Sequence, residues 1–310
     1  MRVLVWHVHG SWTTSFVQGR HDYLVPVLPD RSPDGLGRAR TWDWPASVVE
    51  VTPEEARRSD IDAVVIQRPH ELDHLVADWT GRRPGTEIPA VYVEHNAPEG
   101  RVNDMRHPAA DRPDITVAHV TYFNRLFWDT GRARTAVVEH GVVDPGHIYV
   151  GDMPRAVAAV NDPVRRARVT GTDLLQDLGH RLPVDLFGIA TEELGGTDVN
   201  QSELHAAMAR RRVYLHPFRW TSLGLTLIEA MHIGLPVVGL ATTEAPEAVP
   251  SGAGVLSNRP DVLVEAAKTL LADPELAAAM GKQGRQAALA RYGLDRFLAD
   301  WDRLLEEVTG

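Results

Sequence analysis

The chain has 310 residues, of which 44% are hydrophobic and 24% charged, with a formal charge of −10 and no cysteine. That length supports two α/β domains more readily than one. The negative charge argues against nucleic acid as a general partner, which needs a basic surface, and the missing thiols exclude disulfides and thiolate metal sites. The apolar run after Met1 ends by Trp6-His7, too short for a signal-peptide core. No stretch approaches a membrane span, so a cytoplasmic protein without stable membrane insertion is expected.

In chain order, Arg2–His7 reads as a buried strand ending in the loop His7-Val8-His9-Gly10-Ser11-Trp12, with a helix beginning over Thr13–Gln18. A strand, a glycine loop and a helix open many doubly wound sheets, whose ligands lie beyond the carboxyl ends of strands. Gly10 either lets backbone approach a phosphate or sugar or makes a simple turn. His7 and His9 have no acid or third imidazole nearby, which favours hydrogen-bonded side chains over a metal pair. Arg31–Pro45 is rich in Gly, Pro and charge and reads as a mobile loop, in which Trp42 and Trp44 either stack on sugars or pack against the domain. Strands are expected at Asp62–Gln67, Ala90–Glu94, Thr116–Val120 and Ala136–Glu139, with helices around Glu71–Trp79 and over Tyr122–Thr130. Glu94, His95 and Asn96 arrive together at a strand end, which marks a site.

The pattern restarts with the strand Ala156–Val160, which stops at Asn161-Asp162-Pro163. Arg165, Arg166 and Arg168 come next within four positions, either as an anion site or as a solvated basic turn. Further strands are expected at Val184–Phe187, closed by Gly188, and at Val213–Leu215, with a helix over Gln201–Arg211. The most informative stretch is Trp220–Leu240. There Thr221-Ser222-Leu223-Gly224 turns into an almost wholly apolar helix, Leu225–Ile233, stopped by Gly234 before the strand Pro236–Leu240. Glu229 breaks that apolar run, so its carboxylate must reach an open surface or a hydroxyl-bearing partner. Helix-start amides over Ser222, Leu223, Gly224 and Leu225, with an acid one turn inside, suit a phosphate joined to a ribose.

Asp261–Ala272, Pro274–Arg291 and Leu294–Val308 read as closing helices. Two Asp-x-Asp pairs, Asp60-Ile61-Asp62 and Asp300-Trp301-Asp302, look like metal motifs. The first precedes a strand and the second lies on a charged helix face, so no metal site is expected. The chain has neither a Walker phosphate loop nor a serine nucleophile elbow.

The stretch from Ser222-Leu223-Gly224 through Glu229-Ala230-Met231 to Gly234-Leu235-Pro236-Val237-Val238 resembles the signature of the retaining, family-4-type (group 1) glycosyltransferases. His95, Thr121 and Gly141-Val142-Val143-Asp144 take the places of that family's first-domain features. The resemblance implies an α/β architecture of the GT-B kind: two Rossmann-like, doubly wound parallel-sheet domains facing a cleft. It places an acceptor-side domain at 1–143, a nucleotide-sugar domain at 144–293 and a terminal helix at 294–310 crossing back to the first domain.

For the chemistry, the resemblance implies transfer of a sugar from a nucleotide-sugar donor to an acceptor hydroxyl, with retention and no resident cofactor or essential metal. Arg165, at the family arginine, with Arg166 or Arg168, would hold the diphosphate, Glu229 the ribose hydroxyls and Gly188 the base. His95 and Gly10 would face the sugar, so that domain closure assembles the site. Two positions depart from the family: Thr170 stands for its diphosphate lysine and Thr221 for its first glutamate. They keep open a non-catalytic nucleotide- or glycan-binding protein on the same fold. A sugar-nucleotide epimerase would instead need an acid and a base, with Glu94, Glu244 and Glu247 as candidates. Nothing in the sequence marks an oligomeric state.

Overall fold

Apolar runs too short for helices become strands here, and every strand pairing is parallel. The computed structural model describes residues 1–101 and 103–310. They form two units, Met1–Val143 together with Leu294–Gly310, and Asp144–Gly293.

The first unit carries β1 (Arg2–Val5), β2 (Asp22–Pro26), β3 (Val48–Val51), β4 (Ala63–Ile66), β5 (Ala90–Glu94), β6 (Thr116–His119) and β7 (Arg134–Val137). Their order is β3-β2-β1-β4-β5-β6-β7. It contains the 3-2-1-4-5-6 order of dinucleotide-binding sheets and reverses direction between β1 and β4, the place where such sheets open a ligand crevice. Val3, Leu4, Val5, Val64, Val65 and Ile66 are fully buried, because helices cover both faces of a parallel sheet and leave no side for polar residues. Helices α1 (Gly10–Phe16), α2 (Pro53–Arg58), α3 (Val76–Thr80) and α4 (Tyr122–Phe127) belong to this unit. A π-helical turn, Glu71–Leu75, precedes α3, so the single helix expected over Glu71–Trp79 is in two parts. Helix α2 starts on a capping box in which Thr52 Oγ1 accepts from the Glu55 amide and Glu55 Oε2 accepts from the Thr52 amide.

Arg31–Pro45 is not a free loop. Arg31 pairs with both Glu50 oxygens at 2.9 and 3.2 Å, and Arg38 donates to the carbonyls of Trp44, Pro45 and Val48. Trp44 is buried and gives its Nε1 proton to Thr14 Oγ1 at 2.8 Å. Guanidinium groups satisfying carbonyls thus order a segment that has no hydrophobic period.

The second unit carries β8 (Met153–Ala159), β9 (Val184–Phe187), β10 (Arg211–His216), β11 (Val237–Gly239) and β12 (Gly254–Leu256), in the order β12-β11-β10-β8-β9. Counted within the unit this is the flavodoxin-like 2-1-3-4-5 order, with its switch point between β8 and β10. Its helices are α5 (Pro163–Thr170), α6 (Thr172–Arg181), α7 (Gln201–Arg210), α8 (Leu225–Ile233), α9 (Ala245–Ala248), α10 (Pro260–Ala272) and α11 (Pro274–Tyr292). The arginine-rich stretch expected as an anion site or a solvated basic turn is α5, a helix bent at Ala167, where φ is 40° and ψ −108°.

Helix α8 is buried from Leu227 to Ile233. Leu227, Ile228, Met231 and Ile233 each contribute about 1.5–3 kcal/mol by leaving water. Gly234 ends the helix at φ 104°, its amide donating to Ala230 and Met231 carbonyls. Helix α11 packs on α8 at a glycine: a Cβ on Gly281 would lie 1.8 Å from the Gly234 carbonyl oxygen.

The last helix, α12 (Leu294–Thr309), lies in the first unit. Its buried Trp301 sits edge-on to Trp12 and Phe16 at 5.7 and 5.1 Å between ring centres, a geometry aromatic quadrupoles favour.

Candidate functional site

In the second unit the switch point brings the segment after β8 together with the segment after β10. From His216, the last residue of β10, the chain runs through Pro217 to Gly224, the N-cap of α8. Among the described residues no side chain caps this helix, so its first turn presents amides at the positive end of the dipole. Ser222 and Leu223 are buried beside it. His216 is buried, its Nδ1 has no hydrogen-bond partner among the described residues, and its Cε1 lies 3.4 Å from where a Cβ on Gly224 would stand. Burial pushes the His216 imidazole down to about 4, which keeps it neutral. The sequence pattern did not single out His216.

Glu229, one turn into α8, is only 2% exposed. Its Oε2 accepts from Gln201 Nε2 at 2.6 Å and lies 3.3 Å from His205 Nε2. The carboxylate that interrupts an apolar helix is therefore held by Gln201 of α7 with His205 alongside, residues that periodicity alone did not mark as partners.

The arginines are placed differently from the expected diphosphate grip. Arg165 is paired with Asp162 at 2.7 Å and Arg168 with Asp173 at 2.9 Å, both on the surface. Arg219 holds both oxygens of Asp173, while Arg166 is half-buried in α5. Thr170 is fully buried, its hydroxyl donating to the Ala167 carbonyl and meeting Thr172 Oγ1 at 3.0 Å. It locks the α5–α6 joint instead of facing outward. Gly188 has φ 130°, and a Cβ there would come within 2.3 Å of the Val160 carbonyl, so its glycine is required by the backbone itself. Glu244 is buried in an ion pair with Arg291 at 3.0 Å.

In the first unit, the β1/β4 switch point gathers His9, Gln67 and His95. Gln67 is buried, with its amide nitrogen on the Trp6 carbonyl at 2.7 Å and its Oε1 3.0 Å from His95 Nε2. The His95 ring lies 4.2 Å from that of His9, edge-on to Trp12 at 5.0 Å and 6.5 Å from His140. Burial, then the nearby His9 and His140, hold His95 well below the usual histidine range. Gly10 is the first residue of α1, after an extended His9, and not a loop glycine. A Cβ there would meet only the Trp42 indole, at 3.6 Å, so neither backbone nor packing in the described residues demands a glycine.

Glu94 and Asn96 do not join His95. Glu94 is buried, with Oε1 accepting from the Asn96 amide at 2.7 Å and Oε2 3.1 Å from His107 Nε2. Asn96 accepts from Trp128 Nε1 on its carbonyl. Thr121 caps α4 by accepting from the Asn124 amide. His7 turns to the Gly37 carbonyl and Trp44, away from a shared site with His9. Asp62 accepts the Arg2 amide, Asp300 is held by Arg296 and Arg303, and Asp302 by Arg20 and His21. Among the described residues no group of three or more His, Asp or Glu side chains is arranged to hold a metal ion, and no helix is long and apolar enough to cross a membrane.

Residues 196–287 match the family model of glycosyl transferases group 1. A stretch of 114 residues, 37% of the chain, is 29% identical to trehalose synthase from Rubrobacter xylanophilus and spans 27% of that protein's length. Among solved structures, the chain is similar over 99% of its length to sucrose-phosphate synthase from Thermosynechococcus elongatus, with 14% identity, a TM-score of 0.67 and 98% of that chain covered. It is similar over 99% to HepE from Anabaena in complex with UDP, with 17% identity, a TM-score of 0.66 and all of that chain covered. The match to TarM from S. aureus spans 78% of this chain and 55% of that one, with 13% identity and a TM-score of 0.63. Both parallel-sheet units therefore follow the GT-B fold, and the segment that carries Gln201, Gly224 and Glu229 is the one that matches group 1 glycosyl transferases.

Proposed function

We propose that the chain transfers a sugar from a nucleotide-sugar donor to an acceptor hydroxyl, with retention of configuration and without a resident metal. The observation that carries this reading is Glu229, a buried carboxylate one turn inside an uncapped helix N-terminus, within the segment that matches group 1 glycosyl transferases. The first-turn amides of α8 meet the diphosphate, and Glu229 accepts from the ribose hydroxyls. Arg165 and Arg168 reach phosphate oxygens by exchanging their exposed carboxylate partners for the ligand, with Arg166 adding positive charge beside them. In the reaction the bond from the anomeric carbon to the diphosphate oxygen breaks, its electron pair going to that oxygen. The acceptor oxygen bonds to the same face of the anomeric carbon and passes its proton to the departing phosphate. Positioned amides and guanidinium groups stabilise the charge that develops there.

The test is a thermal-shift panel with UDP, GDP, ADP and dTDP. Ligand at a hundred times its dissociation constant stabilises by about 2.7 kcal/mol, and Glu229→Ala is expected to abolish that shift and the transfer while the protein stays folded. Transfer should survive a chelator. A second reading, a nucleotide- or glycan-binding protein without catalysis, is favoured by the burial of Thr170 and the ion-paired state of Arg165 and Arg168. Slow hydrolysis of a bound donor separates the two, since a pure binder shows none.

A further inference from the structure

A carboxylate buried in an apolar helix keeps its charge at low cost only if it is hydrogen-bonded. Gln201 provides this for Glu229, with His205 beside it to accept from the same amide. They stand four apart on α7, hence on one face, and α7 packs on α8. The Asn200 side chain caps α7 by accepting from the Glu203 amide at 3.0 Å, which sets Gln201 as the first residue of the helix. The Gln201 amide nitrogen is 2.6 Å from Glu229 Oε2 and 2.9 Å from His205 Nε2. A primary amide has two hydrogens. One serves the carboxylate and the other serves the imidazole, which accepts it on Nε2. The reverse amide orientation would set oxygen against oxygen at 2.6 Å, so the network itself assigns the nitrogen.

We infer that Gln201 is a positioning residue of the nucleotide site, holding the Glu229 carboxylate by Oε2 in the orientation that receives ribose hydroxyls, with His205 fixing the amide. This rests on the reading that Glu229 binds ribose. Gln201 acts only through Glu229, so its removal weakens just those ligands whose hydroxyls Glu229 would meet.

The experiment is calorimetric titration of the full chain with UDP and with 2′,3′-dideoxy-UDP, repeated in the guanosine and adenosine series. Wild type is expected to prefer the ribonucleotide. Gln201→Leu should weaken the ribonucleotide about tenfold and leave the dideoxy compound within twofold, so the preference collapses. Equal weakening of both, or no change in either, overturns the inference, because a merely structural residue would not distinguish the two ligands. Glu229→Ala is run in parallel. If it keeps the preference, the ribose assignment fails; if it loses the preference while Gln201→Leu keeps it, only the present inference fails. Should Gln201→Leu not fold, His205→Leu removes the amide's second anchor and is expected to narrow the preference in the same direction, and an unchanged preference overturns the inference. Wild-type protein that binds none of the diphosphates overturns both.

Discussion

His95 gives its Nε2 proton to Gln67 Oε1 at 3.0 Å, because the Gln67 amide nitrogen is committed to the Trp6 carbonyl at 2.7 Å. A buried glutamine anchored at one end thus sets the tautomer of the imidazole at the other, and Nδ1 is left as the acceptor nitrogen. With its protonation disfavoured by burial and by His9 and His140, His95 is expected to stay neutral through pH 5–8 in nitrogen-15 spectra of the ring. Gln67→Glu places a carboxylate against Nε2, which should raise the His95 pKa and bring its titration into that window. A wild-type ring that titrates near 6.5 would contradict the assignment.

The protein should lose stability in mild acid. Seven histidines, His7, His21, His95, His119, His140, His216 and His232, are held below their ordinary pKa mainly by burial. Each takes up a proton near pH 6.5 when the chain unfolds but not while it is folded. Stability therefore falls as pH drops below about 6.5, and each buried imidazole contributes until the pH reaches its folded value, about 3 for His119 and His140. The slope is at most about 1.4 kcal/mol per pH unit for each. His119 is the cleanest test, since it is fully buried and neither ring nitrogen is hydrogen-bonded among the described residues. His119→Leu is expected to stabilise by roughly 1–2 kcal/mol at pH 7 and by more at pH 5.5. Denaturant midpoints at the two pH values check this.

Gly281→Ala should be severely destabilising. The added methyl would overlap the Gly234 carbonyl oxygen, and backbone cannot yield as a side-chain tip can. Forcing α11 off α8 is expected to cost at least about 3 kcal/mol. An unchanged melting temperature would show that the two helices are not so close.

Arg165→Ala and Arg168→Ala are expected to leave the melting temperature unchanged, because exposed ion pairs add little to stability. Binding of a nucleoside diphosphate should weaken about tenfold in each variant, and binding of the nucleoside should not change. Equal losses for both ligands would show that the guanidinium groups do not meet phosphate.

Glu229 and the start of α8 were legible in the sequence because a charge inside an apolar helical run breaks a pattern that burial otherwise enforces. The central strands were legible for the same reason, since Val64–Ile66 or Val91–Val93 have no other use than a covered sheet. What lay beyond reading was carried by single polar contacts. Gln67 and Gln201 are ordinary amides in sequence, and only the fold brings them to His95 and Glu229. Strands β2 and β3 are short and mix Asp22, Pro26 and Glu50 with apolar residues, and α5 has no sustained apolar stripe to announce it. The resemblance sets Thr170 at the place of the diphosphate lysine, but a position in sequence does not give a side chain's direction, and its hydroxyl turns inward.

Because α12 belongs with residues 1–143, the second unit lies between two segments of the first. It is an insertion, entered once after Val143 and left once before Leu294. Trimming the carboxyl end would therefore injure the unit that contains the amino end, stripping Trp301 and Phe297 from Trp12. Residues 144–293 form one uninterrupted segment, and the two pieces of chain that flank it pack on each other.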